Sequence, residues 1–173
     1  MILRLATEKD LPAVCRIYDR AHDAEERGPK TTGWIRGVYP TPETAQTSLD
    51  EGSLYVVELE GEIVATGRIN QTQDEEYLAG DWTEDVPPEQ VLVLHTMMVL
   101  PEYQGRGIAQ FIVGEYARMA REQGCTWLRL DTNRINTPAR SLYRKLGFRE
   151  TGESLGDFCG LPNVYLVLLE KRL

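Results

Sequence analysis

No stretch of this sequence is apolar enough for long enough to cross a membrane. The longest nearly apolar run, Val91 to Leu100, is interrupted by His95 and Thr96 and falls well short of the ~20 residues a spanning helix needs. The N-terminus, MILRLATEKD, turns charged at once, so no secretory signal is expected. Cysteine is scarce. Cys15, Cys125 and Cys159 are odd in number, widely spaced and in no CxxC pair. That argues against a disulfide framework and for a reducing, cytoplasmic compartment, with each cysteine read as a small buried hydrophobe. Histidine is scarcer still. His22 and His95 lie far apart in sequence, so no metal site is expected. No basic cluster is interleaved with aromatics, which argues against nucleic acid as a partner. Internal repeats and low-complexity segments are also lacking.

What is present is the composition of one globular domain. The 173 residues are 42% hydrophobic and 27% charged, close to the average for folded chains, and the length suits a single domain with a real core. The net charge of −8 is unevenly spread. Residues 1–90 carry 8 basic and 19 acidic side chains, net −11, and residues 91–173 carry 11 basic and 8 acidic, net +3. This division reads either as solvated surface or as two halves that meet different ligands, an anion on the C-terminal half and a cation near the N-terminal half.

Hydrophobic periodicity and turn chemistry place the elements. Ile2 to Leu5 reads as a short strand, and Glu8 to Asp23 as a helix behind Thr7. Glu25 to Pro40 reads as loop, and Thr41-Pro42 opens a short helix that ends near Gly52. Ser53–Leu59 and Glu62–Asn70 read as strands joined by a tight turn at Glu60-Gly61. Gln71 to Gln90 is acidic and long for a loop. Such loops are usually functional or disordered, and Tyr77 and Trp82 favour an ordered functional one. Val91–Leu100 reads as a buried strand, Pro101–Gln104 as a turn, Gly107–Gln123 as a helix and Thr126–Asp131 as a strand. A helix capped by Asn136 or Thr137 ends at Gly147. Phe148–Glu153 and Val164–Lys171 are two more strands. Mixed elements with hairpins predict an α/β (α+β) fold with a mixed sheet rather than a doubly wound one.

The segment Gln104-Gly105-Arg106-Gly107-Ile108-Ala109 lies between a strong strand and a strong helix. Two glycines let the backbone turn sharply, and the helix start offers unpaired N–H groups at the positive end of the macrodipole. This makes a site for a phosphate or pyrophosphate, to which Arg106 could add charge. The Walker pattern and the Rossmann fingerprint are both missing. What remains is Gln104-x-x-Gly107-x-Ala109, with Val99 and Pro101 upstream. Further on come Asn136 before Thr137-Pro138-Ala139, then Tyr143-Arg144-Lys145-Leu146-Gly147-Phe148.

On these residues the sequence resembles the GCN5-related N-acetyltransferase (GNAT) superfamily, strongly over 91–153 and elsewhere by element order. The resemblance implies one N-acetyltransferase domain over 1–173, with a central, mostly antiparallel sheet splayed at two parallel strands and flanked by helices. It implies acetyl-CoA as co-substrate, its pantetheine arm along the backbone of Met97, Met98 and Val99. It places the pyrophosphate on Gln104, Gly105, Arg106, Gly107, Ile108, Ala109 and Gln110, with Asn136 beside the arm. Tyr143 would protonate the leaving thiolate. From the residues alone, Tyr143 could instead simply pack on its helix, and Asn136 could only cap. His95 is a candidate general base, since its ordinary pKa near 6.5 suits the task. Strand alternation would put it on one face with Met97 and Val99, though it reads equally as a structural histidine. Glu58, Glu75, Glu76 and Asp131 are further candidates. The stretch around His95 also resembles a bacterial subgroup with a His-Arg pair, but here Thr96 replaces the arginine.

Trp34, Tyr39, Tyr77 and Trp82 lie in expected loops and are candidates for the acceptor pocket, though they read equally as closing the core. The run Asp74-Glu75-Glu76 with Asp81, Glu84 and Asp85 either attracts a cationic amine or is plain solvated loop. The activity implied is acetyl transfer to a primary amine of a small molecule, amino acid or peptide by direct attack in a ternary complex. The alternative is an acyl-CoA-binding sensor or interaction module without catalysis. A homodimer is compatible with either.

Overall fold

The computed structural model describes residues 1–173. Seven strands form one sheet in the order β1-β2-β3-β4-β5-β7-β6. They are β1 Ile2–Leu5, β2 Leu54–Leu59, β3 Glu62–Asn70, β4 Val91–Val99, β5 Trp127–Asn133, β6 Arg149–Phe158 and β7 Leu161–Arg172. Every pairing is antiparallel except β4 with β5, as expected for the splayed mixed sheet. The helices are α1 Leu11–Arg27, α2 Pro42–Asp50, α3 Ile108–Glu122 and α4 Thr137–Lys145. No helix is long and apolar enough to cross a membrane.

Local chemistry sets most boundaries. The Thr41 side chain accepts from the Thr44 N–H, with Pro42 in the first turn of α2. The Asn136 side chain accepts from the Ala139 N–H at the start of α4. Glu60 and Gly61 both have positive φ, as a two-residue hairpin turn of the favoured hand requires. Three elements outrun the sequence reading. α1 continues to Arg27 because Glu25, only 5% exposed, accepts the N–H groups of Thr31, Thr32 and Gly33 and ties the chain back on itself. β6 and β7 run on to a shared hairpin turn at Cys159-Gly160. The outer half of β6 is mostly exposed, so apolar density gave no sign of it. Cys159 is exposed on that turn, contrary to the expectation that it is buried; Cys125 is buried and Cys15 half-buried.

Each face of the sheet carries a core. On one face Leu92, Leu94, Leu128, Leu130, Val167 and Leu169 pack against Ile108, Ile112, Tyr116 and Tyr143 of α3 and α4. On the other, Val14, Ile17 and Tyr18 of α1 pack against Leu54, Val56 and Met98. The 71–90 segment covers the rest of that face, with Tyr77 on Val91, Val93, Trp127 and Leu168. Each such side chain contributes about 1.5–3 kcal/mol when fully buried.

Two irregularities in β4 create the site. First, β4 and β5 stay in register only from Val91–Trp127 to Leu94–Leu130. Beyond that point β4 continues along β3 and β5 along β7, and the two part. The buried Tyr116 hydroxyl reaches the carbonyls of Leu92 and Arg129 and braces the pair just before the parting. Second, Thr96 has φ +51, and the register with β3 slips there: His95 pairs with Arg68, but Met98 pairs with Thr66. Two residues of β4 thus oppose one of β3, which is a bulge. The bulge reverses the alternation. His95 faces the loop side, against Tyr77, while Met97 and Val99 pack on the α3 side. The expectation that His95 shares a face with Met97 and Val99 is overturned, because side-chain parity does not survive an inserted residue.

Candidate active site

The parted strands open a cavity of about 560 Å³. Its lining brings together His95, Thr96, Met97, Met98 and Val99 of β4 with Gln104, Gly105 and Ala109 of the glycine turn. Asp131, Thr132 and Asn133 of β5, Asn136 and Tyr143 of the α4 segment, and Trp34 and Tyr39 of the N-terminal loop complete it. Tyr77 and Trp82 do not line it. Tyr77 is only 3% exposed and stacks on Trp82 with centroids 5.7 Å apart. The Trp82 indole donates to the Tyr77 carbonyl at 2.9 Å and lies 4.0 Å under the Arg129 guanidinium. Of the two readings of these aromatics, their packing matches the one in which they close the core. They fold inward because the apolar strand residues beneath them need covering.

At the glycine turn, Gly105 and Gly107 have φ +75 and +80, a region costly for any residue with a Cβ. A Cβ at either would meet no protein atom within 4 Å. Gly107 is the N-cap of α3 and supplies no side-chain cap, so the first-turn N–H groups are left for an anion. This concavity fits a phosphate group. Ile108 buries its side chain in the core and Gln110 points outward, so both offer only main chain. Arg106 lies over the Tyr103 ring at 4.9 Å, and the Gln104 amide donates to the Val99 carbonyl at 3.4 Å. None of the four residues from Arg106 to Ile108 and Gln110 lines the cavity, and no Lys or Arg does. An anion here is met by peptide dipoles, not by the net positive charge of the C-terminal half.

Tyr143 is 5% exposed and packs edge-on against Phe148 at 5.8 Å. Burial and the nearby Asp131 push its pKa well up, so the phenol keeps its proton. Asn136 spends its oxygen on the helix cap, which leaves its amide N–H₂ for a ligand. His95 is 6% exposed. Its Nε2 lies 3.2 Å from Asn70 Oδ1 and its Nδ1 3.7 Å from Asp74 Oδ2. Burial and the Arg68 charge lower its pKa to about 4, so it is neutral at pH 7 and a weak base. Asp131 is the opposite case. It accepts from the Tyr77 hydroxyl at 2.9 Å, and burial raises its pKa to about 6. Glu58 is spent on Arg4, at 3.1 Å, on the far edge of the sheet.

A second, more open cavity of about 620 Å³ shares Tyr39, His95, Thr96 and Phe158 with the first. Glu43, Asp74, Glu75 and Glu76 line it, with Arg68 as its single cation. The acidic loop is thus divided. Asp74 to Glu76 face a cavity, while Glu84 is paired with Arg172 at 3.0 Å. Between the cavities the Tyr39 hydroxyl bonds to Thr96 Oγ1, and the Tyr39 ring meets Trp34 and Phe158 edge-on at 5.9 and 5.7 Å. Sequence reasoning missed Phe158, which arrives from a distant hairpin with no local signal. It also missed the role of Thr96, whose departure from the His-Arg pattern was the one clue.

A mixed sheet whose only parallel pair parts beside a glycine turn defines an acyltransferase architecture. The chain belongs to the acetyltransferase (GNAT) family, whose family model matches residues 11–148. It is 41% identical over 66 residues to human N-acetyltransferase 8B, a match covering 38% of this chain and 29% of that protein. It is 37% identical over 68 residues to thialysine N-epsilon-acetyltransferase of Bos taurus, covering 39% of this chain and 40% of that one. The chain thus spans less than half the length of these curated relatives. Among solved structures it superposes on a GNAT-family acetyltransferase from Listeria monocytogenes with TM-score 0.76 and 19% identity, covering 99% and 94% of the two chains. A ribosomal-protein-alanine N-acetyltransferase from Brucella melitensis gives 0.70 and 24%, covering 100% of both. At these identities the likeness is one of fold.

Proposed function

We propose that residues 1–173 act as one cytoplasmic N-acetyltransferase domain, with its acetyl-CoA-binding core at 91–153. It transfers an acetyl group to a primary amine by direct attack in a ternary complex. The observation that carries this reading is one cavity bordered by three things: the strand edge past Leu94 that β5 no longer pairs, the glycine turn into α3 through Gly105 and Ala109, and Tyr143, whose hydroxyl has no protein partner. The relatives named above include enzymes whose names specify amine acceptors, which supports the acceptor class.

Acetyl-CoA, when bound, supplies the activated thioester. The chain's own residues do the rest. The free edge of Met97 to Val99 pairs with the pantetheine arm as an added strand would, and one of its N–H groups polarises the acetyl carbonyl. Main-chain N–H groups from Gly105 to Gln110 hold the pyrophosphate. The Asn136 amide orients the arm. Tyr143 gives its proton to the departing sulfur. Trp34 and Tyr39 border the acceptor side, and Asp74, Glu75 and Glu76 draw a cationic amine towards it.

The test is thiol release from acetyl-CoA with a panel of an alkyl amine, an amino acid, an aminoglycoside and a short peptide. At least one acceptor should speed release well above background. Tyr143→Phe should lower that rate about 10–100-fold while CoA affinity, measured by calorimetry, stays unchanged. Tight CoA binding with no acceleration by any amine would overturn the enzymatic reading in favour of a sensor.

A further inference from the structure

We infer that Asp131 is the carboxylate that receives the protonated acceptor amine and takes its proton, with Tyr77 as the residue that positions it. The inference rests on the acetyl-transfer reading above and supplies the proton acceptor which that reading requires.

Three features of the fold carry it. Asp131 is the residue after Leu130, the last of β5 in register with β4. It therefore stands where the strands part, on the same cavity as Thr96 and Tyr143. Next, alternation along β5 sets its direction. Leu128 and Leu130 face α3, and Trp127 faces the loop segment, so Asp131 points to the loop face. That is the side on which the acidic second cavity opens. Finally, Asp131 lacks a cation. One oxygen accepts from the Tyr77 hydroxyl at 2.9 Å, and no Lys, Arg or His pairs with it. A carboxylate withdrawn from water without a counter-charge is costly, and an arriving ammonium is the partner it lacks.

The surroundings reinforce the choice. Asp74 and Glu76 face it from the loop, Tyr77 from the 3-10 turn at Glu75–Ala79, and Tyr143 from α4, with Tyr39 and Cys159 around the rim. His95 lies beside Tyr77, neutral at pH 7. The nearest cations are Arg68, which acts on Asp74 and His95, and Arg129, which lies over Trp82; neither offsets the charge of Asp131, so its immediate field favours an arriving cation. Burial raises Asp131 to about 6 and lowers His95 to about 4, which makes Asp131 the stronger proton acceptor of the two.

The step balances as follows. The ammonium loses one proton to Asp131 and so frees the nitrogen lone pair. That pair forms the N–C bond to the acetyl carbonyl carbon as the C–S bond breaks. The sulfur takes the Tyr143 proton, and Tyr143 regains one from the second N–H that the nitrogen sheds on becoming an amide. Asp131 returns its proton to solvent. One amide, one thiol and one proton result. Tyr77 fixes the Asp131 rotamer, and its hydrogen bond favours the ionised form.

The experiment compares the parent with Asp131→Asn and Tyr77→Phe. It measures kcat/KM from pH 5 to 9 with the fastest amine of the panel and with hydroxylamine, which is largely unprotonated at neutral pH. CoA affinity by calorimetry and thermal unfolding are measured alongside. For the protonated amine, Asp131→Asn should lose about 100-fold in kcat/KM and the acid limb near pH 6. For hydroxylamine it should lose no more than about tenfold. Its CoA affinity should be unchanged, and its Tm at pH 8 equal to or above the parent's. Tyr77→Phe should move the acid limb to higher pH, because the hydrogen bond that favours the ionised carboxylate is gone. Asp131→Asn activity within threefold of the parent overturns the inference alone. So does an equal loss on both amines with a lowered Tm, which marks a packing role. A parent that binds CoA and acetylates no amine removes the transfer reading itself, and this inference with it.

Discussion

On one side of the parted strands, Gly105 to Ala109 and Asn136 to Tyr143 come from two short stretches, the first offering main chain and the second the side chains of Asn136 and Tyr143. On the other side Tyr39, Tyr77, Thr96, Asp131 and Phe158 arrive from five separate segments and act through side chains. On the proposed reading the first side is the donor wall, which depends on backbone conformation and a helix start. On the same reading the second side is the acceptor wall, which depends on long-range packing. The same contrast separates the loop aromatics. Trp34 and Tyr39 border the cavities, whereas Tyr77 and Trp82 hold up the sheet.

The largest break in this comparison is expected at Gly107. Its φ of +80 resists any side chain, and a carboxylate there would meet the phosphates. Gly107→Glu should lower CoA affinity by more than about 100-fold, the combined cost of strain and repulsion, as read by calorimetry. An unchanged affinity would dissolve the donor wall as drawn. Next in size is the contrast between two tryptophans. Trp82→Ala should cost roughly 3 kcal/mol of stability in denaturant unfolding and leave the acceptor KM within about threefold. Trp34→Ala should raise the acceptor KM with a smaller stability loss. The reverse pattern would return Trp82 to the acceptor side.

Two titrating groups on the loop face, the half-buried Asp131 and the buried His95, sharpen the comparison further, because they oppose each other. Asp131 has a raised pKa, about 6 against an ordinary 3.8. Its neutral form is favoured in the fold, so its contribution to stability grows as pH falls from 6 towards 4. His95 has a lowered pKa, about 4 against 6.5, so its contribution is lost over nearly the same window. Asp131→Asn should therefore make the fall in Tm below pH 6.5 steeper, and His95→Gln should make it shallower, each by several °C across the window. The smallest effect is kinetic. His95→Gln should leave the pH–rate profile between pH 5 and 8 in place, since a group near pKa 4 does not titrate there. A limb that disappears in that range would make His95 the base.

Some of this was plain in the residues. Gly105 and Gly107, the Asn136 cap, the Glu60-Gly61 turn and the dense apolar run of β4 are local features. The expected elements follow from them, and the splayed sheet was implied by the family resemblance that the glycine turn and the Tyr143–Phe148 motif carry. Tyr77 and Trp82 show where that reading stops. Aromatics in an acidic loop look alike whether they point at a ligand or at a core, and only the bare patch of Val91, Val93 and Trp127 decided between them. Cys159 and Phe158 were hidden in the same way, on a hairpin whose exposed outer strand has no apolar pattern.

By itself the sequence determined the order of the elements, the family and the turn that awaits an anion, because backbone propensity and helix-end chemistry act over a few residues. Only the tertiary structure decided which face His95 takes and which carboxylate stands in the cleft. The bulge at Thr96 exists in register with β3, and Asp131 is set apart by what it lacks, a neighbouring cation. Both are relations between segments brought together only when the sheet forms.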